Sequence, residues 1–572
     1  MKLSPAELAS CAQLAALVLQ RWGGSACRLG MRQGIDEQDR VFYIDFLGCE
    51  PALSELQELL KKLKPGKCRF FVDVAHGCRI ICEYLLGDTG YTYQVILPIT
   101  AEPGEAEPKI VRVYNISAVH LPEGRGTRIY FRIFNSEEEV RLFEQRLKEL
   151  EQADHRFIGQ KLDLFSFQEE LIGSGLPLFH PYGTRIRNKL IELIRKINRA
   201  LGFDEVFTPH LWKVDVVKVS GHYDKYKENM FIFSVGDEEY TLKPMNCPGH
   251  ILIFKSRERS YEELPVRYAE FATVYRNEIP GALRGLLRVR ALTQDDHHVF
   301  ARIDQVEQEV LKLVYAIMKL YQFFGFQEVR INLSTRPDNF IGSVDLWEQA
   351  ETALKTILEK IKTMFGVEYY VKEKEGAFYG PKIDFDVKDS LGRWWQLGTI
   401  QLDFFQPANF GAYYTAKAGK KELPVIIHCA MLGSIERFMA VLLETTRGRL
   451  PAWLAPVQAA VIPVASRHAG YARAVATAIE EAGYYALADL EERTVNYKVR
   501  KYEDLKVPYI LVVGDKEMQQ QTVSVRKKGE KKTEEMPLES FIDLLRQEDK
   551  KIVQLVAEIK EFVQQLNNQC NQ

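Results

Sequence analysis

The sequence predicts an α+β protein of about three domains, and three observations support this fold class. A chain of 572 residues is too long for one hydrophobic core. Residues 1–152 mix helical periodicity with alternating strands, which is typical of an α+β domain. Residues 453–572 alternate strand, helix and strand, which indicates a small α/β layer. Residues 153–452 hold most of the polar motifs, and we expect the functional site there.

The composition is that of an ordinary globular protein and excludes several classes of function. Hydrophobic residues make up 46%, charged residues 27% and the net charge is −2, so nucleic-acid binding must use local basic patches. Nine cysteines without regular spacing indicate a reducing, cytoplasmic location rather than a disulfide framework. The first helical segment is amphipathic, unlike a signal peptide, and the longest other apolar stretch contains three prolines, so we expect no membrane association.

The N-terminal region alternates helices and strands and carries few chemically active side chains. Its periodicity predicts, in order, a helix at 8–21, a strand at 41–46, a helix at 53–63, strands at 110–119 and 127–134, and a helix at 136–152.

The central region begins with an amphipathic helix at 183–201 and a strand ending at Pro209. Its polar motifs are Met245-Asn246-Cys247-Pro248-Gly249-His250, Tyr275-Arg276-Asn277-Glu278, Arg288-Val289-Arg290, Thr293-Gln294-Asp295-Asp296-His297-His298 and His428 to Arg437. The cysteine and histidines lack compact zinc-finger spacing and are weak metal candidates by themselves. The arginine-rich segment from Arg276 to Arg290, here called the arginine loop, is by itself equally typical of a solvated surface. Arg437 lies beside the apolar segment 438–443 and is not typical of a solvated surface.

The C-terminal region has buried strands at 457–464, 507–516 and 522–526, with a helix at 468–483 and a final amphipathic helix at 551–566. The lysine-rich run between 527 and 532 is more typical of a solvated turn than of an RNA-binding patch.

These motifs, in this order, resemble the active site of class II aminoacyl-tRNA synthetases, specifically the threonyl-tRNA synthetases, from about Asp154 to the C-terminal region. The resemblance implies an antiparallel-sheet catalytic core followed by an anticodon-binding-like α/β domain. The helix–strand–proline unit ending at Pro209 is similar to the motif that builds a homodimer interface in this class. A helix packed only on its own sheet remains the simpler alternative.

The resemblance also implies one Zn²⁺ per chain, held by Cys247, His298 and His428 with coordination positions left open. The amino group and hydroxyl of threonine can reach such an ion, so valine is rejected because it lacks the hydroxyl. Asp296 is expected to accept a hydrogen bond from the same hydroxyl. The register with the two aspartates assigns the ligand to His298 rather than to its neighbour His297, and His250 is expected to be structural.

For the phosphates of ATP, the resemblance implies that Arg276 clamps the α-phosphate and that Arg288 lies near the outer phosphates. For the adenine ring, it implies that Arg437 stacks on adenine and that Glu278 contacts adenine or the tRNA end. Mg²⁺ neutralises phosphate charge. Leu292 replaces an aromatic residue that stacks on adenine, which predicts weaker ATP binding. The remaining expected site residues are Gln294 between amino acid and phosphate, His222 as proton acceptor in transfer, Lys382 and Gln401 at the substrates, and Met245, Tyr379, Gln396 and Ser434 in the pocket.

The N-terminal order of elements is similar to the editing domain of bacterial threonyl-tRNA synthetases, which hydrolyses mischarged seryl-tRNA with a pair of histidines. Ala9 and Gln13 stand where those histidines would be. We therefore predict a degenerate, non-hydrolytic domain, with an unrelated α+β module as the alternative. Serine lacks only a methyl group, worth about 1–3 kcal/mol of discrimination, so mischarging with serine is expected.

The resemblance implies a threonine–tRNA ligase with threonine, ATP and tRNA(Thr) as substrates. Glu491 and Glu492 replace residues that normally meet RNA, which predicts a weakened tRNA contact. Two alternatives stay open. One is a paralogue that adenylates threonine or a related hydroxy amino acid for another acceptor, or serves as a second, antibiotic-tolerant copy. The other is a non-enzymatic RNA-binding protein on an inactive scaffold.

Overall fold

The computed structural model describes residues 4–23, 25–33, 40–73, 77–86, 89–97, 104–106, 109–121, 124–390, 392–530 and 532–570. The chain divides into two compact units, Met1–Glu149 and Leu150–Gln572.

The first unit contains two four-stranded antiparallel sheets, with strand orders β1-β2-β8-β7 and β5-β4-β3-β6. Its elements are α1 (Pro5–Trp22), β1 (Ser25–Gln33), β2 (Arg40–Leu47), α2 (Leu53–Lys62), β3 (Leu63–Asp73), β4 (Gly77–Leu86), β5 (Thr89–Leu97), β6 (Gly104–Ala106), β7 (Ile110–Leu121), β8 (Gly124–Phe134) and α3 (Glu137–Ala153). Helix α1 begins with a capping box, in which the Ser4 hydroxyl and the Glu7 carboxylate each accept from the other's amide. The predicted helices and strands of this region are all present.

The second unit begins with an eight-stranded mixed sheet of order β11-β15-β16-β23-β20-β19-β17-β18. The pairs β11–β15 and β17–β18 are parallel and the others are antiparallel. The elements are α4 (His155–Lys161), β9 (Phe165–Phe167), β10 (Pro177–Phe179), α5 (Pro181–Leu201), β11 (Asp204–Glu205), β12 (Leu211–Lys213), α6 (Val214–Val219), α7 (His222–Tyr226), β13 (Ile232–Val235), β14 (Glu238–Leu242), α8 (Cys247–Lys255), β15 (Val266–Tyr275), β16 (Ala291–Ala301), α9 (Val306–Phe323), β17 (Val329–Ser334), α10 (Val344–Phe365), β18 (Tyr369–Lys372), β19 (Lys382–Lys388), β20 (Trp394–Asp403), α11 (Gln406–Phe410), β21 (Tyr414–Thr415), β22 (Lys421–Glu422), β23 (Val425–Ser434) and α12 (Ile435–Thr446).

The C-terminal part of this unit is a five-stranded sheet of order β25-β24-β26-β27-β28. Its elements are β24 (Ala459–Pro463), α13 (Ala469–Glu481), β25 (Ala486–Ala488), α14 (Val495–Asp504), β26 (Tyr509–Val513), α15 (Asp515–Gln520), β27 (Thr522–Lys527), β28 (Thr533–Pro537) and α16 (Leu538–Cys570). The strand predicted at 507–516 is shorter than expected, because α15 already begins at Asp515.

The large sheet packs against α5, α9 and α12 to form the main hydrophobic core, which includes Leu190, Val314 and Phe438. Helix α16 takes part in two cores. Phe541 belongs to the core of the C-terminal sheet, and Ile559 belongs to the main core. Among the described residues, none of the helices combines the length and the apolar composition that crossing a membrane requires.

Candidate functional site

A cavity of about 500 Å³ opens on one face of the large sheet. Most of the predicted site residues line it, namely His222, Met245, Cys247, Arg276, Glu278, Gln294, Asp296, His298, Tyr379, Lys382, Gln401 and His428. The four other predicted residues, Arg288, Gln396, Ser434 and Arg437, are not part of this lining. The chain therefore brings together segments that are up to about two hundred residues apart in sequence.

Strand register explains how the sheet gathers these side chains. His298 on β16 lies directly opposite His428 on β23, which in turn lies opposite Gln401 on β20. Gln401 is paired with Lys382 on β19. Directly opposite residues of antiparallel strands project from the same face. One transverse row of the sheet thus supplies two imidazoles, an amide and an ammonium group to the cavity.

Cys247, His298 and His428 form a buried cluster at the floor of the cavity. One ligand atom of each residue lies within 4.8 Å of the corresponding atoms of the other two. His298 Nε2 and His428 Nδ1 are 2.9 Å apart. Thiolate and imidazole are the ligand types that Zn²⁺ prefers, and three protein ligands suit a site that keeps a position open.

Neighbouring groups hold both imidazoles in orientations suited to ligation. His428 Nε2 lies 3.1 Å from a carboxylate oxygen of buried Asp403, which leaves Nδ1 facing the cluster. His298 Nδ1 lies 2.9 Å from His250 Nδ1, and His250 Nε2 lies 3.1 Å from Glu270 Oε2. Such partners fix the ring orientation and tautomer of a ligating histidine. His250 therefore positions His298, beyond the structural role expected for it.

The surroundings of Cys247 also fit a metal ligand. Burial raises the pKa of its thiol well above the usual range, and a bound cation is what converts such a thiol into a thiolate. The side-chain amide of Gln406 is buried and faces this thiol. Apart from this contact with the thiol, neither polar atom of that amide has a hydrogen-bond partner in the described part of the chain. The donor set and the orphaned amide both fit a thiolate–metal centre.

The structure separates the two adjacent histidines of β16. His297 projects to the opposite face, where its Nε2 lies 2.8 Å from Asn198 Oδ1 on α5. His298 alone joins Cys247 and His428. Alternation along a strand sends neighbouring side chains to opposite faces, so only one of the pair can reach the cavity.

A bulge at the end of β23, directly before α12, fixes the residues where the strand meets the helix. The buried carboxylate of Asp295 accepts hydrogen bonds from the amides of Met431, Leu432 and Gly433. Gly433 has φ of +84°, and a Cβ there would lie 2.5 Å from the carbonyl oxygen of Leu397, so glycine is required. Ser434 has a different role from the one expected. It caps α12, with its hydroxyl accepting from the Arg437 amide at 3.1 Å.

The arginines predicted to bind ATP come from the loop after β15 and from α12. Arg276 and Glu278 line the cavity, and Arg288 forms an ion pair with Glu278 at 2.8 Å. Arg437 projects from the first turn of α12, with its guanidinium carbon 6.0 Å from the centre of the Trp395 ring. Its Nε is buried and has no hydrogen-bond partner among the described residues.

Buried Asp384 organises the polar side of β19 and β20. Its carboxylate accepts from Lys382 Nζ at 2.6 Å, Gln396 Nε2 at 2.7 Å and Thr399 Oγ1 at 2.9 Å. Gln396 and Gln401 are five residues apart and would face opposite sides of a regular strand. A bulge, with Asp384 paired to Thr399 but Asp386 to Gln396, restores Gln396 to the cavity side. Gln396 nonetheless lies outside the lining, where its side-chain amide is held by Asp384.

His222 closes the cavity from α7 and is buried. Its ring lies edge-on to Phe378 at 5.3 Å, and its Nδ1 is 3.0 Å from the Ser220 hydroxyl. Burial lowers the pKa of His222 to about 4. The imidazole is therefore neutral near pH 7, as a proton acceptor must be.

Four supporting residues are missing from the sequence-based set, namely Asp403, Asp384, Glu270 and Gln406. Glu270 on β15 and Asp384 on β19 are acidic residues flanked by apolar neighbours, a pattern that signals a buried polar partner, whereas Asp403 is the last residue of β20 and gives no such signal. Gln406 has no comparable signal, because a glutamine after a strand is common in loops.

Comparison with known proteins identifies two family domains and close relatives. Residues 186–446 match the class II tRNA synthetase core domain (G, H, P, S and T), and residues 458–548 match an anticodon binding domain. The threonine–tRNA ligase catalytic subunit of Metallosphaera sedula is 45% identical over 81% of this chain and 86% of its own length. That of Saccharolobus solfataricus is 46% identical over 77% of this chain and 80% of its own length.

Solved structures agree with this assignment. The RNA binding domain of threonyl-tRNA synthetase from Cryptosporidium parvum superposes with a TM-score of 0.66 and 41% identity, over 69% of this chain and 98% of that one. A prolyl-tRNA synthetase from the same organism, at 15% identity and a TM-score of 0.53, shares the fold. The predicted α+β class II architecture is confirmed, and the chain belongs to the threonine–tRNA ligase family of class II aminoacyl-tRNA synthetases.

Proposed function

We propose that this chain activates threonine with ATP and transfers it to tRNA(Thr), selecting threonine with a zinc ion held by Cys247, His298 and His428. The observation that carries the proposal is the buried Cys/His/His cluster on the floor of a cavity lined by Arg276 and Gln294. As a member of this family the chain is an aminoacyl-tRNA ligase, and class II ligases use ATP with Mg²⁺.

The Cys/His/His cluster and Asp296 together recognise the hydroxyl of the amino acid. A zinc ion bound there supplies a Lewis-acidic position for the amino group and hydroxyl of threonine. Asp296 lines the same cavity, and its carboxylate is held by Asn246 Nδ2 at 3.0 Å. A site built for a hydroxyl rejects valine strongly, because valine leaves the polar groups unpaired.

The phosphate end lies toward Arg276, whose planar guanidinium suits the α-phosphate. Gln294 projects from β16 between Arg276 and the Cys/His/His cluster and bridges the two substrates. Lys382 is oriented by Asp384, and the Tyr379 hydroxyl donates to Gln401 at 2.5 Å. These three lining residues are therefore held in place before a substrate binds. Arg288 forms an ion pair with Glu278 in the arginine loop, and Arg437, beside Trp395, is assigned to the adenine ring.

Transfer to tRNA requires a group that accepts the proton of the attacking hydroxyl of the terminal ribose. His222 is neutral, lines the cavity and stands opposite the sheet that carries His428. A neutral imidazole at this place serves as that acceptor.

The N-terminal unit supports charging without hydrolytic proofreading by this chain. Ala9 and Gln13, which stand where an editing site would have histidines, are on α1 and are 0% and 1% exposed. Ala9 packs inside the apolar core of that unit with Leu17 and Phe42. A core position of this kind offers no general base, so seryl-tRNA made by this chain persists.

We further propose a homodimer that uses the segment after α5. Phe207 is 75% exposed and Leu211 is 46% exposed, next to the edge strand β11. Large exposed hydrophobic side chains beside a sheet edge are typical of an interface. We expect light scattering to show a dimer that Phe207→Asp converts to monomer. Equal masses for the two proteins would refute this interface.

The domain boundaries proposed for function are residues 1–152, 153–452 and 453–572, with tRNA recognition assigned to the last. The acidic pair predicted to repel RNA is partly neutralised. Glu491 forms an ion pair with Lys501 at 2.8 Å. The repulsion predicted from Glu491 is therefore weaker than expected, which favours tRNA(Thr) as acceptor over another molecule.

The test is a set of activity and metal assays on the full chain. We expect pyrophosphate exchange with threonine, weaker exchange with serine, none with valine, and charging of threonine tRNA in total tRNA. Metal analysis is expected to find about one zinc per chain, lost in Cys247→Ala. Absence of threonine-dependent exchange would overturn the proposal, and full zinc occupancy in the variant would overturn the ligand assignment.

A further inference from the structure

A second cluster of titratable side chains lies away from the cavity, and it consists of half-buried Asp154 with His155 and Glu444. His155 and Glu444 are 0% and 1% exposed. Both imidazole nitrogens are already engaged. His155 Nδ1 lies 2.7 Å from Glu444 Oε1, and Nε2 lies 3.0 Å from the amide nitrogen of Leu286. The cluster is therefore a hydrogen-bonded link between three chain segments rather than a vacant metal site.

The partners determine which nitrogen carries the proton. The Glu444 carboxylate can only accept, so Nδ1 bears the hydrogen and donates it. The Leu286 amide can only donate, so Nε2 presents its lone pair. His155 thus bridges α12, which carries Glu444, to residue 286 of the loop between β15 and β16, and it does so as one neutral tautomer.

The loop is shaped to fit this imidazole. A Cβ at Gly285 would lie 2.3 Å from His155 Nε2, and the φ of this glycine is +49°. Leu286 is 0% exposed and belongs to the main hydrophobic core. The same loop carries Arg276 and Arg288 and is closed at its ends by a hydrogen bond from the Arg276 amide to the Arg290 carbonyl. Holding residue 286 therefore holds the hairpin from which these arginines project.

Glu444 is also connected to Arg437 through a second set of contacts. The second carboxylate oxygen of Glu444 forms an ion pair with Arg393, whose Nε donates to Asp389 at 2.7 Å. Asp389 also accepts from the indole nitrogen of Trp395 at 2.8 Å, and Trp395 is the ring beside the Arg437 guanidinium. Glu444 itself lies on the same helix as Arg437. One network of hydrogen bonds and ion pairs therefore reaches both arginine groups assigned to ATP.

We propose that His155 is a positioning residue for the nucleotide site. Its Nε2 anchors the arginine loop, through the Leu286 amide, to α4, which packs on α12, so that Arg276 and Arg437 keep a constant separation before ATP arrives. This inference rests on the proposed function and deepens it. Preorganised charged groups bind a nucleotide more tightly because less ordering is required on binding.

Two substitutions separate the two hydrogen bonds of His155. His155→Asn keeps a donor near the position of Nδ1 for Glu444 and removes the acceptor for Leu286. His155→Gln keeps an acceptor near the position of Nε2 and removes the donor to Glu444. Both remove a buried imidazole and cost stability, so they form a matched pair. A structural role alone predicts that they behave alike.

We expect His155→Asn to raise the KM for ATP in pyrophosphate exchange roughly three- to tenfold, the effect of one lost buried hydrogen bond. The KM for threonine is expected to change less than twofold. His155→Gln is expected to keep the KM for ATP near that of the parent chain. Hydrogen exchange of the Leu286 amide is expected to accelerate in His155→Asn only, a readout independent of activity.

Equal KM values for ATP and equal exchange of the Leu286 amide in the two variants would overturn the inference. A parallel rise in the KM values for ATP and threonine would also overturn it, since that pattern reports general loosening of the site. Absence of threonine-dependent exchange in the unsubstituted chain would instead overturn the proposed function, and amide exchange would still test the link.

Discussion

The carboxylate of Asp403 offers a sharp test of the metal centre, because one substitution changes which tautomer His428 adopts. Asp403 Oδ1 accepts from the amides of Phe405 and Gln406 at 2.9 and 3.0 Å, while Oδ2 faces His428 Nε2 at 3.1 Å. In Asp403→Asn the amide oxygen keeps the two backbone donors, and the NH₂ group then faces His428. The imidazole must accept that hydrogen bond at Nε2, which places its proton on Nδ1, the atom that faces the cluster.

The expected loss follows from this change. Removing a partner that orients a metal-ligating histidine weakens metal affinity about 10- to 100-fold, or about 1.4–2.7 kcal/mol. A hydrogen bond to a charged group is worth about 1.5–3 kcal/mol, so the two estimates agree. We expect Asp403→Asn to lower zinc affinity by this factor and to reduce discrimination of threonine against valine.

The assay is competition for zinc against a chromophoric chelator, with circular dichroism as a check on folding. Asp515→Asn is the matched control. It also removes a carboxylate beside an imidazole, since His468 Nε2 lies 2.8 Å from Asp515, but it does so in the C-terminal domain. Unchanged zinc affinity in a folded Asp403→Asn protein would refute the reasoning that this carboxylate orients a ligand.

Four other predictions concern the site and the fold. Purified chain supplied with serine is expected to accumulate seryl-tRNA, and its rapid deacylation by the chain itself would contradict the buried Ala9 and Gln13. His222→Ala is expected to slow transfer to tRNA by about 10²-fold while pyrophosphate exchange persists, and equal loss of both would contradict a role in transfer. Because burial lowers the pKa of His222 to about 4, below its unfolded value of about 6.5, its stabilisation is complete above pH 6.5 and is lost as pH falls toward 4. Urea unfolding at several pH values is therefore expected to show less acid sensitivity in His222→Ala, and identical slopes would contradict this. Gly433→Ala is expected to lower the free energy of unfolding by about 1–3 kcal/mol in thermal melts, whereas Gly281→Ala, with nothing within 4 Å of its added Cβ, is the neutral control.

The sequence alone determined the family, most of the residues that meet in the cavity and part of the order of elements. Strong periodicity sufficed for α5 and for β24, β26 and β27, because an element packed on a core carries its period in its own residues. Motifs around Cys247 and His428 sufficed for the candidate ligands, because these side chains act directly on a substrate or metal. The order of the eight strands and their register depend on contacts distant in sequence, which periodicity does not encode.

Only the tertiary structure decided which residues support that chemistry and how. The bulge in β20 puts Gln396 on the same face of the sheet as Gln401, which regular alternation would not do. Ser434 caps α12 and does not line the cavity. Asp403 and His155 gain their roles from partners that folding brings close. Asp403 meets His428, which is 25 residues away in sequence, and His155 meets Glu444, which is 289 residues away. A supporting residue is defined by the atoms it meets in space, and neither its type nor its spacing in the chain reveals those atoms beforehand.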